Sequence, residues 1–212
     1  MVRFLDRQDA GLALAEILKC YSHQKNCVAI GLARGGIILA RAIAKKLDIP
    51  FDFMCPKKIS HPHFEEYGVG AVTEDGDLSL DRLAARQIGL SQDLVNQIVE
   101  EKKSAAIQRV NLYRQYHPKV RLENQIVILV DDGLATGHTL LACIESARRQ
   151  QAKKVIAAIP VSSLDAYKKV EKKLDGIFVI SQEPQFQAVG EFYQNFDEVT
   201  DQQIINYLKQ DT

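Results

Sequence analysis

The chain has 212 residues, with 27 lysines and arginines balanced by 27 aspartates and glutamates. That length suits one α/β domain with a substantial core and is short for two ordinary ones. The zero formal net charge excludes a global basic field that would draw nucleic acid or an anionic membrane surface, and no apolar run approaches the ~20 residues of a membrane span.

Short apolar runs alternate with helical patterns along the chain. The spacing predicts a helix over residues 9–21, a strand over 27–32, a helix over 36–47 and a strand over 51–55. Residues 56–80 break the alternation with Pro56, Pro62, Gly68, Gly70 and Gly76. This reads as a long insertion with a hairpin at 69–80, and long loops in compact domains often serve as lids. Ser91 is the expected N-cap of a long helix over 92–116. A strand at 126–130, a helix at 138–150, a strand at 155–161, a helix at 164–174 and a strand at 177–180 follow. After Ser181 a mixed stretch containing Phe186, Phe192, Tyr193 and Phe196 leads to a short final helix. The alternation predicts an α/β fold: a parallel five-stranded sheet flanked by helices on both faces, as one domain over residues 1–212. Ligands are then expected at the C-terminal ends of the strands.

Cys20, Cys27, Cys55 and Cys143 show no Cys-x-x-Cys spacing, and the last three sit in apolar patterns that suit buried, reduced thiols. The five histidines show no metal-site spacing. The N-terminus, Met-Val-Arg-Phe-Leu-Asp-Arg, lacks the apolar stretch of a signal peptide. A soluble cytoplasmic protein is expected.

Chemistry concentrates at residues 127–139, Val-Ile-Leu-Val-Asp-Asp-Gly-Leu-Ala-Thr-Gly-His-Thr. A strand buried on both faces delivers two adjacent carboxylates, Asp131 and Asp132, into a small-residue turn that opens a helix. Free backbone N–H groups and the positive dipole end of such a helix suit a phosphate. Paired carboxylates suit vicinal hydroxyls. Asp-Asp-Gly alone reads more readily as a capped turn; the whole string points to a sugar phosphate. Gly31-Leu-Ala-Arg-Gly-Gly36 follows another strand. Its glycines let backbone N–H groups approach an anion, and Arg34 adds a donor fork. On its own this is also an ordinary strand-to-helix turn. Lys57 and Lys58 follow the strand at 51–55 and point to the same cleft or to solvent. The spacing of Gly31, Gly35 and Gly36 is not the dinucleotide fingerprint, and there is no Walker A string.

The string at 127–139 resembles the phosphoribosyl-pyrophosphate (PRPP) motif of type I phosphoribosyltransferases, with Gly133 standing where that family usually carries a larger residue. This departure is expected to loosen the loop. The N-terminal segment from Phe4 to Ala15, the stretch from Phe186 to Tyr193 and Val199-Thr-Asp resemble a bacterial branch of that family whose substrates are undefined. The resemblance implies the type I fold, with a flexible loop or hairpin insertion near 59–80 and a small C-terminal hood formed by about 182–212 with the N-terminal segment.

It further implies an enzyme that transfers the 5-phosphoribosyl group of PRPP to a purine or pyrimidine base, with release of pyrophosphate and a role in nucleotide salvage. Asp131 and Asp132 would hold the ribose hydroxyls and take part in catalysis with Glu66 of the loop, and would reach Mg²⁺ mostly through water or PRPP. Ala135, Thr136, Gly137, His138 and Thr139 would hold the 5′-phosphate. Arg34, Gly35, Gly36, Lys57 and Lys58 would hold pyrophosphate, and the Ala33–Arg34 peptide is the one that would be cis. Phe186, Phe192 and Tyr193 are candidates for contact with the base, or for closing the core. A homodimer is expected, with no membrane and no nucleic-acid partner. The same resemblance leaves room for a non-catalytic, PRPP-sensing regulator of nucleotide metabolism.

Overall fold

The computed structural model describes residues 3–62 and 64–209, and for residues 64–67 the backbone only. Five parallel strands form the central sheet in the order β2-β1-β6-β7-β8. They are β1 (Cys27–Leu32), β2 (Phe51–Met54), β6 (Ile126–Val130), β7 (Lys154–Ser163) and β8 (Gly176–Glu183). The sheet is buried on both faces, so its strands read as continuous apolar runs. Within β1, Cys27 and Ala29 face one core cluster while Val28, Ile30 and Leu32 face the other, the period of two that a pleated strand imposes.

Connectivity places the cleft. From β1 the chain passes through α2 (Gly35–Leu47) to β2, and it later returns to β6 on the opposite side of β1. From there it runs outward through α5 (His138–Arg149) to β7 and through α6 (Leu164–Glu171) to β8. Right-handed crossovers running in opposite directions must place α2 and α5 on opposite faces. Accordingly Ile37, Leu39 and Ile43 of α2 join one cluster, and Leu140, Ile144 and Ala147 of α5 join the other with Ala166 and Val170 of α6. Strand order therefore reverses between β1 and β6, whose last paired residues are Gly31 and Val130. A crevice opens at such a point beyond the strand ends.

The first cluster is completed by α1 (Arg7–Ile17) and α7 (Asp201–Lys209), through Ala10, Leu14, Ile204 and Leu208. The start of the chain is stitched to the C-terminal segment: Phe4 N–H donates to the Phe192 carbonyl at 2.8 Å, and Gln194 N–H donates to the Phe4 carbonyl at 2.8 Å. A 3₁₀ turn at Val189–Phe192 lies in this hood.

The insertion departs from its expectation as a loop with one hairpin. It is a three-stranded antiparallel sheet of β3 (Lys57–His61), β4 (Phe64–Val72) and β5 (Leu78–Leu80). Ile59, Val69 and Val72 gain a wall from α3 (Arg82–Gln87) and α4 (Gln92–Arg114), packing with Ala85, Val95 and Ile98. That apolar cover, supplied from a distance, turns a Gly- and Pro-rich stretch into paired strands. The α3 helix escaped the sequence reading; Asp81 caps it by accepting from the Ala84 N–H at 2.9 Å. Glu66 and its neighbours Glu65 and Tyr67 lie in β4, with side chains outside the described residues. Among the described residues no helix is long and apolar enough to cross a membrane.

Candidate active site

A cavity of about 460 Å³ lies at the crevice between β1 and β6. It is lined by Arg34, Gly35, Lys58, Asp131, Asp132, Ala135, Thr136, Gly137 and Thr139 of the expected set, joined by Arg7, Val189, Phe196, Glu198 and Val199.

The loop after β6 is held by β7. Leu134 N–H donates to the Val161 carbonyl at 2.9 Å and Ser163 N–H donates to the Leu134 carbonyl at 2.9 Å, while the Ser163 hydroxyl reaches the Ala135 carbonyl at 2.9 Å. β7 continues past the expected end at residue 161 because its pairing with β8 runs on to Ser163↔Glu183, and Leu134 adds a bridge to Ser162 on the other side. Gly137 then turns the chain at φ 81°, and no side chain caps the first turn of α5. The N–H groups at that helix start carry the positive dipole end toward the cavity, the requirement for an anion. The expectation that Gly133 loosens the loop meets a packed surrounding. A β-carbon there would lie 2.5 Å from a Val189 methyl, so the hood fills the space a side chain would take.

The two carboxylates differ. Burial, and after it the Asp132 charge, push the Asp131 carboxyl well above its usual range; the Asp132 N–H, Lys58 and Arg7 pull the other way. That N–H donates to Asp131 Oδ1 at 2.9 Å. Asp132 Oδ2 accepts from Arg7 Nε at 2.8 Å. The Arg7 guanidinium also lies 3.8 Å over the Phe196 ring and donates through Nη1 to the Asp197 carbonyl at 2.9 Å. Across the cavity the Ala33–Arg34 peptide is cis, and Arg34 Nη2 pairs with Glu198 Oε1 at 2.5 Å.

Five expected residues with described side chains do not line the cavity with Asp131 and Asp132. The His138 ring turns out of the site: Nδ1 meets the Ser79 hydroxyl at 3.2 Å and Nε2 meets Lys169 Nζ at 3.0 Å. Lys57 is half-buried away from it, its ammonium pKa lowered by burial and then by the Arg109 charge. Phe192 is fully buried and stacks with Phe186 at 5.5 Å. Tyr193 is buried too, and its hydroxyl donates to the Asp132 carbonyl at 2.7 Å, which supports the loop from beneath. Gly36 also lies behind the lining: a β-carbon there would stand 2.4 Å from the Val130 carbonyl oxygen, so its role is close packing of the two loops.

The sequence residues that match the phosphoribosyl transferase domain run from 4 to 194. The chain belongs to the phosphoribosyl transferase family. Relatives from two strains of Mycobacterium tuberculosis, provisionally named phosphoribosyl transferases, are 34% identical over 209 residues, covering 98% of this chain and 47% of theirs. The chain thus spans about half the length of the curated relatives it matches. A crystal structure of a Thermus thermophilus protein superposes with a TM-score of 0.81 at 32% identity, covering 99% of both chains. A hypoxanthine phosphoribosyltransferase from Staphylococcus aureus shares the fold, with a TM-score of 0.51 at 16% identity, covering 87% of this chain and 77% of its own. Within this family frame, Arg7, Phe196 and Glu198 are the residues that sequence reasoning missed. Arg7 lies within the N-terminal segment that resembles the branch, while Phe196 and Glu198 fall between the two C-terminal stretches and carried no such signal.

Proposed function

We propose that this phosphoribosyl transferase domain transfers the 5-phosphoribosyl group of PRPP to a nitrogenous base and releases pyrophosphate. The observation that carries the reading is the convergence, around one cavity, of an uncapped helix start, a pair of adjacent carboxylates and two cationic side chains, Arg34 and Lys58. The loop from Ala135 to Thr139 would hold the 5′-phosphate through backbone N–H groups, with His138 contributing its backbone only. Asp131 and Asp132 would accept from the ribose hydroxyls and offset the positive charge that develops on the sugar as pyrophosphate departs. Arg34, the Gly35 backbone and Lys58 would orient the leaving group. Glu198 is mostly exposed; its pairing with Arg34 is a weak surface contact that a pyrophosphate can replace. Glu66 of β4 is proposed as an acceptor-orienting group.

Among the described residues no group of three or more His, Cys, Asp or Glu side chains could hold a metal. Two acids beside a phosphate cradle fit Mg²⁺, which keeps its waters and takes most ligands from substrate oxygens. Such an ion would neutralise charge on the departing pyrophosphate. Phe196 is the ring that reaches the cavity, in place of Phe186, Phe192 and Tyr193. A cytoplasmic homodimer serving nucleotide salvage completes the reading, supported by family membership alone.

The test is calorimetric titration with PRPP and Mg²⁺, together with a screen of purines and pyrimidines for pyrophosphate release. Asp131→Asn with Asp132→Asn should keep the fold and bind PRPP roughly tenfold to a hundredfold more weakly, since each charge-assisted hydrogen bond is worth ~1–3 kcal/mol. Unchanged affinity in a folded double variant would sink the site assignment. Tight binding with no turnover on any base would shift the protein to a PRPP-sensing regulator.

A further inference from the structure

Arg7 is the one cationic side chain of the cavity that arrives from the start of the chain. We infer that Arg7 is a specificity-determining residue that, paired with Asp132, reads a ring hydroxyl of the ribose; the inference rests on the proposed binding of a phosphoribosyl group at this site.

The Arg7 side chain is firmly held. Asp6 caps α1 by accepting from the Asp9 N–H at 2.9 Å, so Arg7 is the first helical residue and its direction is fixed by the helix. The guanidinium lies against Phe196 at 3.8 Å, and its Nη1 is tied to the Asp197 carbonyl at 2.9 Å. Only 11% of the side chain is accessible, although it lines the cavity. An arginine used merely to neutralise Asp132 needs none of these restraints.

The donor pattern then specifies the ligand atom. Nε donates to Asp132 Oδ2 at 2.8 Å and Nη1 is occupied, while among the described residues no partner accepts from Nη2. In a planar guanidinium the Nε–H and one Nη2–H point side by side. The Nη2 donor therefore points alongside the Asp132 carboxylate, which retains Oδ1 as an acceptor. A donor and an acceptor set edge to edge match a group that both accepts and donates, and within a phosphoribosyl moiety that group is a hydroxyl, which accepts from Nη2 and donates to the carboxylate. A phosphate oxygen would meet the Asp132 charge, and a carbon–hydrogen group would leave both partners unsatisfied. Sites built to bond a substrate hydroxyl reject the analogue that lacks it far more strongly than apolar pockets discriminate by size.

A third segment supports the placement. A β-carbon on Gly35 would stand 2.0 Å from Asp132 Oδ2 and 2.8 Å from Arg7 Nε. The ion pair therefore lies directly over the α-carbon of the loop proposed to hold pyrophosphate, on the side where the sugar must bridge the two loops.

The experiment is titration of the full chain with ribose 5-phosphate, 2-deoxyribose 5-phosphate and 3-deoxyribose 5-phosphate. The wild-type protein should bind the ribose compound at least tenfold more tightly than one of the deoxy sugars. Arg7→Gln should lose that discrimination by weakening ribose binding while leaving affinity for the same deoxy sugar within about twofold. Arg7→Lys, which keeps the charge and loses the fork, should behave like Arg7→Gln and serves where the glutamine variant is poorly folded. Discrimination equal to wild type in a folded variant would overturn the inference, as would equal losses for all three sugars. Failure of the wild-type protein to bind PRPP or any of the sugars would instead overturn the proposed function.

Discussion

At the residue scale the site depends on how closely two loops approach. Gly35 has no room for a methyl group, because Asp132 Oδ2 would lie 2.0 Å away. Gly35→Ala should leave the circular dichroism spectrum native, since alanine suits a helix start, but displace Asp132 and weaken PRPP binding at least tenfold. Wild-type affinity would mean that the Asp132 side chain adopts another position without loss. The contiguous residues 127–139 were legible because strand, acids, turn and helix start follow one another in the chain. Arg7 was not, because its contact with Asp132 joins residues 125 positions apart and an arginine at a helix start has no periodic signature. The aromatic residues left two readings open, a base platform or closure of the core, and the burial of Phe192 and Tyr193 against Phe186 and Phe4 matches the second.

At the element scale the helix after the phosphate loop meets the inserted sheet at both ends: Arg149 near its C-terminus pairs with Asp77 at 2.7 Å, and His138 at its start carries an imidazole contact. His138 lies between Ser79 of β5 and Lys169 of α6. Burial, and then the Lys169 charge, lower its pKa below the ordinary 6.5, against a smaller opposing effect of Asp81. A base whose folded pKa is depressed binds fewer protons folded than unfolded, so its contribution is intact above pH 6.5 and fades as pH falls toward the folded pKa. The buried Glu74 carboxyl has a raised pKa and works in the opposite sense, so the wild-type curve alone is uninformative. The difference between wild type and His138→Gln isolates the imidazole: the wild-type melting temperature should drop further than that of the variant between pH 7 and 5. Parallel curves would show that His138 does not hold α5 to the sheet. The central elements were legible from period and length, as was the hairpin at 69–80, which is the β4–β5 pair; the third strand of the inserted sheet, β3, was not, because its apolar cover comes from α3 and α4, beyond the segment itself.

At the scale of the whole molecule, hood and central sheet share one packed core cluster, to which α1 and α7 both contribute. A ligand that binds only the native state adds about 2.7 kcal/mol of stability at a hundredfold excess over its Kd. For a chain of this size that corresponds to a rise in melting temperature of roughly 5–10 °C. PRPP with Mg²⁺ should produce such a rise, and Asp131→Asn with Asp132→Asn should remove about half of it or more in a thermal scan. A rise that persists undiminished in the double variant would place the ligand elsewhere on the molecule. The α7 helix belongs to that core: Ile204 is fully buried in the first core cluster, and Ile204→Ala should cost about 2–5 kcal/mol in a denaturant titration.

The interlock of Gly133 and Val189 has an evolutionary consequence. A methyl group added at 133 meets the valine at 2.5 Å, so Gly133→Ala alone should destabilise the hood, and Val189→Ala alone should leave a void beside the loop. Made together, the two changes exchange the volumes, and the pair should be closer to wild type than the sum of its parts. A side chain at 133 is accommodated most readily where Val189 has given way first. The order of substitutions, and not merely their identity, is thereby constrained by a single van der Waals contact.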